Sequence, residues 1–216
     1  HMRFLLKKGS LYKVHNNNLL YHGCVPLNED KSFKSVEVYG KEYKGKALYD
    51  ILESYVRKAF VAIDEEEREK GKDILWFIWS SPGSPLFGKD KMATFERYFL
   101  AEKETHKEKK NPYYSLLEDE EVIDNIMKEF GIGGECSHIV NGHVPVHHTS
   151  GESPIKCDGK VLVIDGGFSK AYQKETGIAG YTLIYNSWGM ILAAHEPFTS
   201  TEDAITRETD ILSDSI

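Results

Sequence analysis

The alternation of apolar and polar positions along the first part of the chain predicts two β-hairpins. Short apolar strands at 11–14 and 19–21 flank Asn16-Asn17, a pair of residues typical of tight turns. A second pair of short strands lies within 35–43 and turns at Gly40-Lys41.

Helical periodicity is visible in three stretches. Apolar residues recur every three or four positions over 46–63, 92–100 and 118–130, and the last has an acidic first turn and Gly131 at its end. The apolar stretch 74–79 is expected to be buried, but its spacing fits a strand and a helix equally well.

The second half of the chain reads mainly as strands. Apolar runs at 137–140 and 160–164 predict two strands, and 181–194 predicts a hairpin. The tail, 199–216, carries an acidic helix that Ser200 or Thr201 could cap. Together these elements predict an α/β fold with a mixed β-sheet flanked by helices and with loops at strand ends forming the site.

Two histidines stand where a predicted strand ends. Asn141-Gly142 breaks one strand just before His143, and Pro145 restricts the chain after it. His22 follows the strand 19–21 and precedes a glycine. A neutral imidazole held on a short loop suits a transition-metal ligand. The alternative, a solvated polar loop, stays open on these residues alone.

Composition narrows the class of protein. The chain has 216 residues, 40% of them apolar, and no apolar run approaches the roughly 18 residues that a membrane helix needs. A formal net charge of -7 argues against nonspecific nucleic-acid binding. The three cysteines lie far apart and form no CxxC pair, which fits a reduced, intracellular chain. His1-Met2 is typical of a cloning scar.

The pattern of potentially catalytic residues favours metal-assisted hydrolysis over a nucleophilic serine or cysteine and over a Walker-type nucleotide site. The chain has no GxSxG segment and no phosphate-binding Walker loop. Two metal ions can clamp a phosphoryl group and activate water, but that design needs carboxylates as well as histidines. The chain lacks Asp-x-His and Gly-Asn-His-Asp segments. It therefore carries only part of any such centre.

Several long segments resemble one family over nearly the whole chain. The sequence is similar to the class III fructose-1,6-bisphosphatases of bacteria, the Firmicutes type, which are a branch of the calcineurin-like metallophosphatases. The segments that carry the resemblance are Ser84-Pro85-Leu86-Phe87-Gly88-Lys89, Thr94-Phe95-Glu96-Arg97-Tyr98-Phe99, Thr105-His106-Lys107-Glu108-Lys109-Lys110-Asn111-Pro112-Tyr113-Tyr114, Asn141-Gly142-His143-Val144-Pro145-Val146, and Ile164-Asp165-Gly166-Gly167-Phe168-Ser169-Lys170-Ala171-Tyr172.

The resemblance implies a fold and an activity. It implies that residues 3–216 are the C-terminal part of a metallophosphatase domain, a partial calcineurin-like sandwich. The whole enzyme would be a cytoplasmic enzyme of gluconeogenesis that removes the 1-phosphate of fructose 1,6-bisphosphate. A cut domain is expected to leave an open sheet edge that invites pairing with another copy, so a homo-oligomer is expected. Two Mn²⁺ ions would activate a hydroxide for in-line attack on phosphorus. The upstream half of the family's domain supplies most of the catalytic groups, so this chain alone is expected to be inactive.

The resemblance also implies roles for individual residues. His22 and His143 match two late histidine ligands of the second metal. Asp165 could orient a ligand histidine by accepting its second N–H, and the alternative is that it only caps the turn. Pro145 stands where some relatives carry a further histidine, so His147 and His148 are not assigned as ligands. Basic side chains would grip the sugar's other phosphate, and the candidates are Lys89, Lys91, Arg97 and Lys170. A structural brace is the alternative for each of these.

Two other functions remain open. The chain could be a non-catalytic module that contributes substrate contacts, regulation or subunit contacts, because the carboxylate ligands are missing from it. It could also belong to a related phosphoesterase with another phosphorylated substrate. No nucleic-acid or membrane partner is expected.

Overall fold

The computed structural model describes residues 1–166, 174, 177, 180–187, 189–195, 199–206 and 212–215. The chain divides into two compact units, His1–Ser137 and His138–Ile216. The first unit holds two hairpins and the long helices, and the second is mainly β-structure. The chain is therefore of mixed α/β class, as predicted. The finer assignment to a calcineurin-like sandwich stays a prediction.

The first hairpin forms as predicted. Strands β1, Tyr12–His15, and β2, Asn18–Tyr21, pair antiparallel, with Tyr12 opposite Tyr21. Both turn residues have positive φ, 47° at Asn16 and 62° at Asn17. Asparagine tolerates this left-handed conformation better than most residues, which is why Asn-Asn closes a two-residue loop here.

The second hairpin is shifted by one residue from its predicted turn. Strands β3, Val36–Val38, and β4, Lys41–Tyr43, pair antiparallel. The two turn residues are Tyr39 and Gly40, with φ of 48° and 77°, because Lys41 already pairs with Val38. The glycine takes the second of the two positive-φ positions, so the predicted turn at Gly40-Lys41 is one residue too late.

Five helices precede residue 137 among the described elements. Their bounds are Met2–Lys8 for α1, Gly45–Val61 for α2, Glu65–Ser80 for α3, Thr94–Phe99 for α4 and Glu120–Glu129 for α5. The three helices that periodicity predicted are confirmed as α2, α4 and α5.

Helix α3 settles the question left by residues 74–79. The Asp64 side chain accepts a hydrogen bond from the Glu67 amide and caps a single helix that continues to Ser80. Ile74 and Ile78 are buried on one face, whereas Trp76 is 64% exposed. The stretch is therefore a helix, and the expectation that all of it is buried was wrong, since a two-sided helix buries only one stripe.

One hydrophobic cluster of the first unit lies between the α2–α3 pair and the second hairpin. Its buried members come from β3, α2 and α3. They are Val36, Val38, Leu48, Leu52, Ile74 and Ile78. Burying one such side chain stabilises a fold by about 2 kcal/mol, so this cluster holds the hairpin on the helices.

The second unit contains a mixed sheet and a three-stranded antiparallel sheet. Strand β5, His138–Asn141, runs parallel to β7, Val161–Val163, and β6, Ile155–Lys156, pairs antiparallel with β7. The other sheet consists of β8, Gly180–Asn186, β9, Gly189–His195, and β10, Leu212–Ser215.

A short helix follows β9 and confirms the acidic helix predicted for the tail. It is α6, Thr201–Thr206, and the Ser200 hydroxyl accepts a hydrogen bond from the Asp203 amide at 3.0 Å. Ser200 rather than Thr201 is therefore the cap. Among the described residues, no helix combines the length and the apolar character needed to cross a lipid bilayer.

Candidate active site

His143 lies on a strained turn directly after β5. Its φ is 70°, and the Val144 amide donates to the Gly142 carbonyl at 2.9 Å, so the three residues close a γ-turn of the positive-φ kind. This conformation is unfavourable for a residue with a Cβ and persists only where the surroundings hold it. The side chain is half-buried. The sequence correctly predicted a tight turn at this histidine.

Asp165 lies at the same edge of the sheet as His143. The register of the parallel pair places Asn141 opposite Val163. Strand β5 ends two residues before His143, and β7 ends two residues before Asp165. The pairing continues past β7, because the Ile164 amide donates to the Asn141 carbonyl at 2.9 Å. The Val146 amide then donates to the Asp165 carbonyl at 2.8 Å, which ties down both ends of the His143 turn. Ligand sites commonly form at the carboxyl ends of parallel strands.

His22 follows β2 in the first unit and is exposed, whereas Gly23 to Leu27 behind it are buried. The loop presses against the segment 84–89. The Cys24 amide donates to the Pro85 carbonyl at 2.8 Å, and a Cβ on Gly23 would lie 2.3 Å from that carbonyl oxygen. Only glycine allows the two backbones to come this close, which explains why Gly23 follows His22.

A group of buried tyrosines supports the His22 loop from below. The Tyr49 hydroxyl donates to the Cys24 carbonyl at 2.8 Å, and the Tyr21 and Tyr113 hydroxyls share a hydrogen bond of 2.7 Å. Burial raises the pKa of Tyr21 and Tyr113 well above the ordinary value, so both stay neutral. Burial also raises the pKa of the Cys24 thiol to about 12, which leaves it uncharged and unsuited to nucleophilic attack.

Asn111 joins three loops of the first unit at one point. Its side-chain oxygen accepts hydrogen bonds from the Leu27 amide at 3.1 Å and the Tyr113 amide at 3.0 Å. Its side-chain nitrogen donates to the Leu27 carbonyl, and its backbone amide donates to the Gly88 carbonyl at 2.9 Å. The Asn-Pro pair in the sequence signals a turn, but it does not show which loops the Asn111 side chain joins.

Lys89 and Arg97 converge on one carboxylate. The Lys89 ammonium lies 2.8 Å from Glu108, and the Arg97 guanidinium lies 3.6 Å from the same side chain. Burial alone would raise the pKa of Glu108, but the hydrogen bonds from Lys89 and the Ala93 amide outweigh it and lower that pKa. In this geometry Lys89 and Arg97 brace the structure through Glu108, which is the structural alternative given for them above. Their role in binding substrate stays a prediction.

The other two basic candidates stand apart from that pair. The Lys91 ammonium donates to the Thr105 carbonyl at 2.8 Å and so ties its own loop to the 3-10 turn at Lys103–His106. Lys170 lies outside the described residues.

The donor types fit part of a metal centre. His22 lies in the first unit and His143 in the second, and the prediction that both bind one cation stays a prediction. Within the described residues, no three His, Cys, Asp or Glu side chains come together as a ligand set. Imidazole nitrogens suit divalent ions such as Zn²⁺, Fe²⁺ and Ni²⁺, whereas Mn²⁺ prefers oxygen ligands, so two histidines would be only part of a ligand set for Mn²⁺.

Comparison with known proteins identifies the family. The family model described as Firmicute fructose-1,6-bisphosphatase matches residues 1–216. The chain is 58% identical over 216 residues to a class 3 fructose-1,6-bisphosphatase of Clostridium beijerinckii, covering 100% of this chain and 33% of that protein. It is 60% identical over 217 residues to the class 3 enzyme of Clostridioides difficile, with the same coverage of 100% and 33%.

A relative from another genus shows a similar likeness. The class 3 fructose-1,6-bisphosphatase of Listeria monocytogenes is 54% identical over 214 residues, which are 99% of this chain and 33% of that protein. The chain thus spans about a third of the length of these relatives. No solved structure matches it. The match over residues 1–216 shows that this chain belongs to the Firmicute fructose-1,6-bisphosphatase family.

Proposed function

We propose that the chain is the C-terminal part of a fructose-1,6-bisphosphatase that hydrolyses the 1-phosphate of fructose 1,6-bisphosphate. The family match over residues 1–216 is the observation that carries this proposal. Relatives that are 54–60% identical bear the same name, so a related phosphoesterase with another substrate is the weaker alternative.

In this proposal the second unit contributes a ligand and its orienting group. His143 presents its imidazole from a turn whose backbone is fixed by the Val144 and Val146 hydrogen bonds. Asp165 follows the neighbouring parallel strand and would accept the second N–H of a ligand histidine, which raises the basicity of that ligand. A pair of Mn²⁺ ions, when bound, supplies the positive charge that lowers the pKa of the attacking water and stabilises the phosphoryl oxygens.

The first unit contributes the other histidine and the basic side chains. His22 is held by the contact of Gly23 with Pro85 and by the tyrosines beneath the loop. Lys89 and Arg97 would exchange Glu108 for a phosphate oxygen, and the Arg97 fork can donate two parallel hydrogen bonds to one phosphate. Lys91 and Lys170 complete the proposed basic set.

The test is Mn²⁺-dependent phosphate release from fructose 1,6-bisphosphate by the whole enzyme that contains this chain. His143→Ala should lower kcat at least 100-fold, because loss of a ligand or its supporting group typically removes one to two orders of magnitude or more of activity. His147→Ala, at an exposed histidine of the same loop, is the matched control and should leave kcat within about twofold. Unchanged turnover in His143→Ala would reject the ligand assignment.

A second measurement separates catalysis from the alternative of a non-catalytic module. We propose that the 216-residue chain alone releases no phosphate, since the carboxylate ligands implied by the family are not in it. Hydrolysis by the isolated chain at a rate comparable with the whole enzyme would overturn that view. A panel of phosphorylated sugars tested on the whole enzyme would expose a related phosphoesterase by its preference for another substrate.

A further inference from the structure

The first unit contains a cavity of about 250 Å³ that the proposed metal ligands do not line. Its wall comes from the loop after β2, the loop after α3 and the segment 109–112. Drug-sized ligands occupy cavities of roughly 300–1,000 Å³, so this one suits a smaller group. The charged residues that line it are Glu29, Lys34, Lys89, Asp90, Lys109 and Lys110.

The rim of this cavity is held by a dense set of backbone hydrogen bonds. The Asp90 amide donates to the Lys109 carbonyl at 2.9 Å, and the Asp90 carboxylate accepts from the Lys109 amide at 2.7 Å. Asn111 fixes the opposite side through Gly88 and Leu27. A rim whose backbone is fixed in this way loses less conformational freedom when a ligand binds.

Two lysines face each other across this rim. Lys89 and Lys110 are direct partners in an antiparallel bridge. The two backbone hydrogen bonds of the bridge, each 2.9 Å, join the residues on either side of this pair, so Lys89 and Lys110 form a non-hydrogen-bonded pair. In such a pair the side chains stand on the same face of the ladder at their closest spacing. Like charges directly opposite one another are destabilising. An anion between or beside them would remove that repulsion.

The remaining charges leave this cavity positive. Glu108 pairs with Lys89 at 2.8 Å, and Glu29 pairs with Lys109 at 2.6 Å. Among the described residues, no ion pair engages the ammonium groups of Lys34 or Lys110. Two unpaired ammonium groups therefore stand against one carboxylate, Asp90, whose oxygen already accepts a backbone hydrogen bond.

We propose that this cavity is a phosphate-binding site in which Lys34, Lys89 and Lys110 contact the anion. A phosphate monoester is small enough for this cavity and carries the negative charge that its unpaired ammonium groups attract, and a lysine ammonium is a compact charge well suited to phosphate. The phosphate belongs either to a sugar phosphate such as the substrate or to a separate small phosphorylated ligand. Its binding here does not depend on the proposed hydrolysis.

The experiment titrates the 216-residue chain with inorganic phosphate at constant ionic strength, followed by isothermal titration calorimetry. Wild type should show saturable binding, and Lys34→Gln and Lys110→Gln should each weaken it at least fivefold. Lys58→Gln, at an exposed lysine on α2 outside the cavity, is the matched control and should bind like wild type. Absence of saturable binding to wild type, or equal binding by Lys110→Gln, would overturn the proposal.

Urea unfolding shows whether a variant loses phosphate binding only because it is less stably folded. Because Lys110→Gln removes the like-charge repulsion, this variant should be at least as stable as wild type without phosphate and gain less stability when phosphate is added. A variant that unfolds more easily and loses phosphate binding for that reason would contradict the assignment of Lys110 to the anion.

Titration with fructose 1,6-bisphosphate and with fructose 6-phosphate separates the two sources of the phosphate. A lysine-dependent affinity at least tenfold above that for inorganic phosphate assigns the cavity to the sugar phosphate. Equal affinities for all three assign it to a separate phosphorylated ligand. Both results support a phosphate site, and neither relies on metal or turnover, so failure of this proposal is distinguishable from failure of the proposed hydrolysis.

Discussion

At the scale of single residues, His143 combines an unfavourable backbone conformation with a proposed role as a metal ligand. A Cβ at φ of 70° is strained, and left-handed conformations cost an L-residue about 1–2 kcal/mol. His143→Gly should therefore be more stable than His143→Ala by about 1 kcal/mol, because only glycine relieves the strain. Urea unfolding of the two variants measures the difference.

His147 provides the control for that comparison. It lies in the same loop, is exposed and is absent from the positive-φ residues. At this position the order should be reversed: His147→Ala should be more stable than His147→Gly by about 0.5–1 kcal/mol. Glycine relieves no strain there and only adds conformational freedom to the unfolded chain. The same order at both positions would show that the turn at His143 is unstrained.

Glu108 gives a pH signature at the same scale. Hydrogen bonds from Lys89 and the Ala93 amide outweigh burial and lower its pKa below the ordinary 4.5. A carboxylate whose pKa is lower in the folded state stabilises the fold above its unfolded pKa, and this contribution is lost as the pH falls through the folded pKa. Glu108→Gln should therefore lose about 1 kcal/mol at pH 7 and match wild type below the folded pKa.

Unfolding curves from pH 7 down to about pH 3 measure this effect, since that range covers the titration of carboxyl groups. Glu104→Gln is the control, because Glu104 pairs with Lys107 at the surface and both side chains are more than 70% exposed. Its stability should follow wild type within about 0.5 kcal/mol at every pH. A pH-independent loss in Glu108→Gln would mean that Glu108 acts through packing rather than charge.

At the scale of elements, one amide side chain holds three loops together. Asn111 satisfies the Leu27 amide and carbonyl and caps the 3-10 turn at Pro112–Ser115. Asn111→Ala should cost about 2 kcal/mol because it leaves half-buried backbone groups without partners. Asn111→Asp keeps the accepting oxygen and should cost less. Thermal unfolding followed by circular dichroism ranks the two variants.

Asn28→Ala is the control for Asn111. Among the interactions that the structure describes, the Asn28 side-chain amide donates only to the Ser32 hydroxyl, and that pair is exposed. The expected loss is within about 0.5 kcal/mol, as for most surface changes. Equal losses at Asn28 and Asn111 would show that the loop junction carries no special stability.

The elements also show what the sequence could predict. Hairpins closed by Asn-Asn and amphipathic helices such as α5 were found because turn chemistry and periodicity are local signals. The Glu108 brace and the Asn111 junction were not found. Apart from Tyr113, which is two residues from Asn111, their partners lie 11 to 84 residues away along the chain, and no local pattern encodes a contact at that separation. Burial of Trp76 was predicted wrongly because a short apolar run does not show which face of a helix is covered.

At the scale of the whole molecule, the proposed ligand set limits how tightly this chain can hold a metal ion. Two imidazoles without a carboxylate are weak ligands for Mn²⁺, and we expect a dissociation constant on the order of 1 mM, about 4 kcal/mol of binding free energy. At 1 mM Mn²⁺ the stabilisation would be about 0.4 kcal/mol. That raises Tm by roughly 1 °C for a chain of this length.

Calorimetric titration of the 216-residue chain with MnCl₂ tests this expectation together with the Tm shift. His22→Ala and His143→Ala should each remove the weak binding, whereas His147→Ala should keep it, because His147 is not assigned as a ligand. Micromolar binding that survives both substitutions would place the metal on other side chains. It would reject His22 and His143 as ligands and leave the family assignment unchanged. Millimolar binding that both substitutions abolish would assign the two histidines to one cation, since loss of either ligand would then remove the same site.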